Sequence, residues 1–206
     1  METERQLFMM KKGALLEKFI MKKEIPLNLQ TEKQQLRAFL ISERKAIAPE
    51  RREEASLLAK NSLSERLSKY SRILSFASLP DEINIWPLNE QLCKEGRLFL
   101  PKVHENTLSI FPVKTFEELR FQSFGILEPI SKNTSAIPID SIDCILVPGL
   151  GSDENHHRIG YGKGFYDRLL SQARQIPAIG IFFKEQKIPK CPLENHDMIL
   201  DEVYFF

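Results

Sequence analysis

The chain has only nine glycines in 206 residues, where average usage of about 7% would give roughly fourteen. Its three cysteines, Cys93, Cys144 and Cys191, lie far apart and form no CxxC pair. That excludes a disulfide scaffold and a zinc knuckle, and fits free thiols in a reducing compartment. Neither sign of charge dominates, since 29 basic and 28 acidic residues leave a formal net charge of +1. No global field points to nucleic acid or an acidic surface as the main partner, and basic residues do not interleave with aromatic ones as an RNA-binding surface would require. No apolar run approaches a membrane span, and neither internal repeats nor low-complexity segments occur.

Residues 1–30 read as an N-terminal extension separate from the domain at 31–206. They contain no apolar stretch long enough for a signal peptide. Glu2, Glu4, Glu17 and Glu24 argue against a mitochondrial presequence, and Met9, Met10 and Met21 offer alternative starts. The expectation is a frayed helical extension or a misassigned start, with a cytoplasmic protein by default.

At 42% hydrophobic, the remainder suffices for one globular domain with a sizeable core. Thr31 followed by Gln34 predicts a capping box at the start of a first helix, with Leu36, Phe39, Leu40 and Ile47 near one face. Pro49 and Glu50 predict the start of a second, with Ala55, Leu58, Ala59, Leu63 and Leu67 at helical spacing. RILSFASL (72–79) has the length of a strand. A loop and helix follow, stopped by Gly96, and then strands at 97–103 and 108–114. IDCILVP (142–148) is a continuous apolar run, as expected of a strand buried on both faces. FYDRLLSQAR then predicts an amphipathic helix, and PAIGIFF another buried strand. Strands alternating with helices predict an α/β fold with parallel βαβ units and an open sheet covered on both sides.

The glycines that do occur are concentrated. Gly149, Gly151, Gly160, Gly162 and Gly164 fall within sixteen residues, in PGLG and RIGYGKGFYD. They lie at the carboxyl end of a predicted buried strand and before a helix, where open α/β sheets bind ligands. Such a loop lets backbone amides face an anion, phosphate above all, with Arg158 and Lys163 supplying positive charge. The G-x-G-x-G spacing is neither the dinucleotide fingerprint nor a P-loop. A tight turn that merely packs a strand on a helix would use the same glycines.

Taken in order, KQQLR (33–37), FASLPDEI (76–83), GRLFLPKV, GILEP (125–129), VPGLG, RIGYGKGFYD, IGIFFKEQ and ENHD strongly resemble the 5-formyltetrahydrofolate cyclo-ligases, also called 5,10-methenyltetrahydrofolate synthetases. The match runs from about residue 31 to 203. The resemblance implies a three-layer α/β/α sandwich with a mainly parallel open sheet. It also implies a ligase that converts 5-formyltetrahydrofolate and ATP to 5,10-methenyltetrahydrofolate, ADP and phosphate with Mg2+. ATP contacts would come from Lys33 and Arg37 and from the loop Arg158, Ile159, Gly160, Tyr161, Gly162, Lys163, Gly164, Phe165 and Tyr166, with Lys163 and Arg158 catalytic. Ala77, Glu82 and residues Tyr161 to Phe165 would border the folate, and Asp167 and Asp197 would hold the metal. The partners would be these small molecules alone, without nucleic acid or membrane, for a monomer.

Read without the resemblance, Lys33 and Arg37 are a solvated helix face, Asp167 complements a helix N-terminus, and Glu82 and Asp197 are loop acids. Trp86, the only tryptophan, is expected to pack a helix. Three positions depart from the family pattern: Ser152 replaces a usual Phe, Phe165 a common Tyr, and His156–His157 a glycine-containing turn, which reads as surface polarity. None removes a charge, so activity is expected to survive. The alternative among enzymes is a phosphate-binding α/β protein of sugar-phosphate isomerase or CoA-transferase type without ATP hydrolysis. Outside enzymes it is a silent folate- or RNA-associated module.

Overall fold

The computed structural model describes residues 28–122, 125–130 and 135–206; the expectation for the N-terminal extension lies outside these, except for its last three residues. Helix α1 spans Leu29–Lys45 and α2 spans Pro49–Arg66. The start of α1 corrects the capping-box reading. Asn28 is the N-cap, and its side chain accepts from the amide of Gln30 at 3.1 Å. The short Asn carboxamide answers an orphan amide of the first turn, and Thr31 lies inside the helix. In α2 the buried stripe is Ala55, Ala59, Leu63 and Leu67, each 0% exposed, whereas Leu58 is 46% exposed and stands outside it. Spacing by four carries the stripe; a residue three on from Ala55 has already turned toward solvent.

The sheet order is β10-β9-β6-β1-β2-β3, with β1 at Ile73–Leu74, β2 at Leu98–His104, β3 at Thr107–Pro112, β6 at Cys144–Val147, β9 at Ala178–Phe182 and β10 at Glu202–Phe205. All pairings in it are parallel except β2 with β3. Alternate side chains serve opposite faces. Ile73, Leu98, Leu100, Cys144, Leu146, Ile179 and Ile181 pack with α2 and with α3 (Trp86–Lys94). Leu74, Phe99, Ile145, Val147, Ala178 and Phe182 pack on the other side with α4 (Phe165–Gln172). These two cores make the expected three layers. Each fully buried leucine among them contributes about 1.5–3 kcal/mol by leaving water. Two small ribbons lie apart, β4 (Leu119–Phe121) with β5 (Leu127–Pro129), and β7 (Gly151–Ser152) with β8 (Arg158–Ile159).

The run at 72–79 forms a strand over two residues only. Buried Asn89 accepts from the Ser75 hydroxyl at 2.6 Å and donates to the Phe76 carbonyl at 2.9 Å, which steers the chain off the sheet. The Glu82 amide then donates to the Leu79 carbonyl at 3.0 Å, closing a turn through Pro80. Because β1 is flanked by β2 on one side and β6 on the other, the chain switches direction across the sheet here, which opens a crevice beyond the strand ends. The cysteines are free, and burial pushes the Cys144 thiol up to about 12. No described helix is long and apolar enough to cross a membrane.

Candidate active site

Beyond the ends of β1, β2 and β6 lies one cavity of about 570 Å³. Its wall includes Lys33, Arg37, Ala77, Glu82, the whole run Arg158–Asp167, and Asp197. The sequence-predicted site residues, spread over 165 positions, therefore meet at one place. Trp86 does not line it; its ring packs edge-on against Phe116 at 5.4 Å and its N–H reaches the Ser78 carbonyl at 3.4 Å.

The glycine run has two structural causes. Gly162 (φ +93°) and Gly164 (φ +65°) occupy left-handed backbone that side chains resist, and Gly164 turns the chain into α4. Gly149 and Gly151 instead permit contact: a Cβ on Gly151 would stand 2.9 Å from the Gln186 carbonyl oxygen. A substituent on Gly162 would come within 3.3 Å of the Arg37 guanidinium carbon, so loop and helix α1 are in close register.

Helix α1 brings Lys33, Arg37 and Arg44 along one side. Lys33 is 4% exposed, which overturns the solvated-face reading. Its ammonium donates to Glu194 at 2.7 Å and to Asp197 at 2.5 Å. Arg37 Nε donates to the Gly160 carbonyl at 2.9 Å. Arg158 pairs with Asp167 at 2.9 Å and donates to the Pro148 carbonyl at 3.2 Å, while its buried Nε–H finds no acceptor. Asp167 Oδ1 also accepts from the amide of Met198 at 3.3 Å, which brings it beside Asp197 in the chain. Lys163 is exposed on the loop, and no ion pair holds its ammonium among the described residues.

At the other end Glu82 is nearly enclosed, with 8% of its side chain exposed. It accepts from the Leu79 amide at 2.8 Å and from the Tyr161 hydroxyl. Burial raises its carboxyl above the usual carboxylate range, opposed by those two hydrogen bonds and by the charge of Arg44. Burial and the nearby Glu82 charge likewise push the Tyr161 phenol up, so it stays protonated and donates.

Sequence reasoning passed over several of these groups. Arg44 and Asp81 were not singled out, nor was Glu128, a buried acid in the cavity wall that accepts from the Val103 amide at 3.2 Å. Glu194 and His196, within the quoted ENHD, join Asp197 as possible metal donors, their ligand atoms lying within 4.8 Å of one another. The signal for Arg44 was present: it falls eleven residues after Lys33, on the stripe that also carries Leu36 and Leu40. His157 departs from surface polarity. Its ring Nδ1 lies 3.1 Å from buried Asp153, whose carboxylate also accepts the amides of His157 at 3.0 Å and Cys191 at 2.9 Å. Ser152, in place of a usual Phe, donates to the His157 carbonyl at 2.8 Å and so closes the same knot. The Phe165 ring lies 5.3 Å from the Arg168 guanidinium and needs no hydroxyl there.

Comparison with known proteins places the fold and the family. The chain is 29% identical over 192 residues to the mouse 5-formyltetrahydrofolate cyclo-ligase, covering 86% of this chain and 95% of that one. It is 29% identical over 172 residues to the protein of the same name from Escherichia coli K12, covering 78% and 92%. The structure of Aquifex aeolicus 5,10-methenyltetrahydrofolate synthetase superposes with a TM-score of 0.75 at 28% identity, over 83% of this chain and 88% of that one. Residues 29–205 match the model of the 5-formyltetrahydrofolate cyclo-ligase family. With its fold and residues 29–205 in agreement, the chain belongs to the 5-formyltetrahydrofolate cyclo-ligase family of enzymes.

Proposed function

We propose that this protein closes 5-formyltetrahydrofolate to 5,10-methenyltetrahydrofolate while converting ATP to ADP and phosphate, with a requirement for magnesium. The observation that carries the reading is that a single cavity joins a cation-rich glycine loop to a carboxylate-bearing end. Its volume of about 570 Å³ is that of a small-molecule site. An isomerase or CoA-transferase would have no use for Lys33, Arg37 and paired acids beside the loop, and the family assignment does not favour it. The domain at 31–206 then acts as a cytoplasmic monomer on these small molecules alone, with neither nucleic acid nor membrane as partner.

A formamide oxygen is a poor leaving group, so it must be activated. It attacks the γ-phosphorus, the bond to ADP breaks, and an iminium phosphate forms. N10 then adds to the formyl carbon and gives up its proton. The carbon–oxygen bond breaks, and phosphate leaves with the electron pair. Little covalent work falls to the protein; positioning and charge neutralisation supply most of the catalysis. Lys163 and Arg158 meet the transferring phosphoryl group, and Lys33 and Arg37 hold ATP with the amides of Arg158–Tyr166. Glu82 receives the pterin N–H groups, with Ala77 and Tyr161–Phe165 around the folate.

Asp197 clusters with Glu194 and His196, and Asp167 is held to the adjoining stretch of chain through the Met198 amide; carboxylate oxygens suit a hard cation. Asp167 and Asp197 would hold magnesium, which, when bound, supplies positive charge against the phosphate oxygens. In the structure those acids pair with Arg158 and Lys33. ATP gives both cations a better partner and releases both acids. The test is to mix protein, ATP, magnesium and 5-formyltetrahydrofolate and follow the absorbance of the methenyl product. Absence of product, or its formation without ATP, would reject the reading.

A further inference from the structure

Arg44 is the most deeply enclosed charge bordering the site, with 2% of its side chain exposed, yet it does not line the cavity. Its fork is divided between two tasks. Nε and Nη2 donate to one oxygen of Asp81 at 3.2 and 2.7 Å. Nη1 turns the other way, donating to the Tyr161 hydroxyl at 2.6 Å and lying 3.5 Å from Glu82 Oε1. The Tyr161 hydroxyl passes the polarity on by donating to that same Glu82 oxygen. Guanidinium, phenol and carboxylate thus form one directed chain that joins helix α1, the turn at 79–82 and the glycine loop. A tether of α1 to the turn would need only Asp81; the second arm has no such use.

We propose that Arg44 is a positioning residue for folate, holding Glu82 and Tyr161 in register for the edge of the pterin. The inference rests on the reading of Glu82 as the pterin acceptor. An acceptor-only carboxylate takes two parallel N–H groups only if its plane is fixed and it is ionised. Arg44 serves both needs. Among the groups that face Glu82, Asp81 and burial favour the neutral acid; Arg44, the Tyr161 hydrogen bond and the Leu79 amide favour the carboxylate. Tyr166, a partly buried residue of the cavity wall, has its phenol pushed up by desolvation and by Glu82 itself. Loss of Arg44 leaves Glu82 with its desolvation and without the one cation that acts on it among the described residues.

The test is calorimetric titration of the full chain with 5-formyltetrahydrofolate, without ATP, across the acid to neutral range. Thermal melting establishes that each variant is folded. Arg44→Gln is expected to weaken folate binding by about 10- to 100-fold, as loss of a partner that orients a liganding group does. The acid limb of the binding profile moves to higher pH, and kcat at saturating folate stays near that of the wild type. Arg44→Lys restores the charge without the fork: its acid limb returns toward the wild-type position while affinity stays reduced. Should Arg44→Gln fail to melt cooperatively, Arg44→Lys carries the test, and wild-type folate affinity in that variant would overturn the proposal. A folded Arg44→Gln with wild-type affinity and pH profile would overturn it equally. If Glu82→Gln binds folate as the wild type does, the underlying reading of Glu82 fails instead, and the proposal fails with it.

Discussion

The two ends of the cavity are built from the same kinds of side chain, but they are wired differently. At the end proposed for the nucleotide, cation and acid pair off. Lys33 meets Glu194 and Asp197, and Arg158 meets Asp167. The acid partners keep 16–28% of their side chains exposed. At the end proposed for folate, Arg44, Asp81, Tyr161 and Glu82 share one network: Arg44 and Glu82 keep 2% and 8% of their side chains exposed, whereas Asp81 keeps 24% and Tyr161 is 41% exposed. A separate pair can exchange its partner alone, whereas a shared network resists rearrangement because loss of one member leaves the buried Arg44 and Glu82 poorly satisfied. Under the proposed function, one end exchanges its ions for a charged ligand and the other keeps a fixed shape for a flat one.

Substitutions at each end can break that contrast, and the largest effect is expected from Lys163→Ala. It removes a cation from the transferring phosphoryl group, and kcat should fall about 10²- to 10³-fold, with folate affinity nearly unchanged. Steady-state kinetics that show unaltered turnover would remove Lys163 from the nucleotide end. Gly162→Val puts a branched side chain at φ +93° against Arg37, a strain of about 1–3 kcal/mol. The Km for ATP should rise by a corresponding 5- to 100-fold or so while the circular dichroism spectrum stays native. Normal ATP affinity in that variant would leave the anion cradle without support.

Glu82→Gln tests the fixed end. Lost charge-assisted hydrogen bonds should raise the Km for folate roughly 10- to 100-fold and spare that for ATP. The sign of the pH effect follows from the raised carboxyl. As pH falls through that raised value Glu82 becomes neutral and folate binding weakens, whereas substrate-free stability contributed by this group increases. Both limbs should vanish in Glu82→Gln; identical profiles for variant and wild type would assign them to another group. The smallest effect is expected from Asp197→Asn, which should raise the magnesium requirement about tenfold. Superimposable magnesium curves at saturating ATP and folate would reduce Asp197 to a partner of Lys33.

The nucleotide end was the more legible of the two in the sequence. Its glycines are conspicuous because the chain is otherwise poor in them, and their place after a buried strand follows from hydrophobic runs alone. Arg44 was legible only in part. Its spacing from Leu36 and Leu40 marks it as facing inward, but its role comes from Asp81 and Tyr161, 37 and 117 positions away. The sheet was read correctly where strands are buried on both faces, as at 144–147 and 178–182. β10 was missed although Val203, Tyr204 and Phe205 favour a strand, because it is a four-residue edge strand of uniform intermediate burial, with no in–out alternation to mark it. The strand expected over 72–79 was too long because the buried carboxamide of Asn89, which draws the chain off the sheet, lies well outside the run.

Helix α1 carries a consequence for how the enzyme comes into being. It packs through its own small cluster, Leu36 and Leu40 with Leu150, Ile159, Ile188 and Cys191, apart from the two cores that flank the sheet. Its Lys33 meets Asp197 across 164 positions of chain, a contact of high loop-closure cost. Because α1 stands outside the two cores of the sheet, it is expected to dock after the sheet and, once the Arg44 network gives way, to open before it. In native-state hydrogen exchange the amides of α1 should therefore lose protection ahead of those of β6 and β9, and ATP should slow the helix far more than the strands. Equal protection of helix and strands, unchanged by nucleotide, would mean that α1 and the sheet open as one unit.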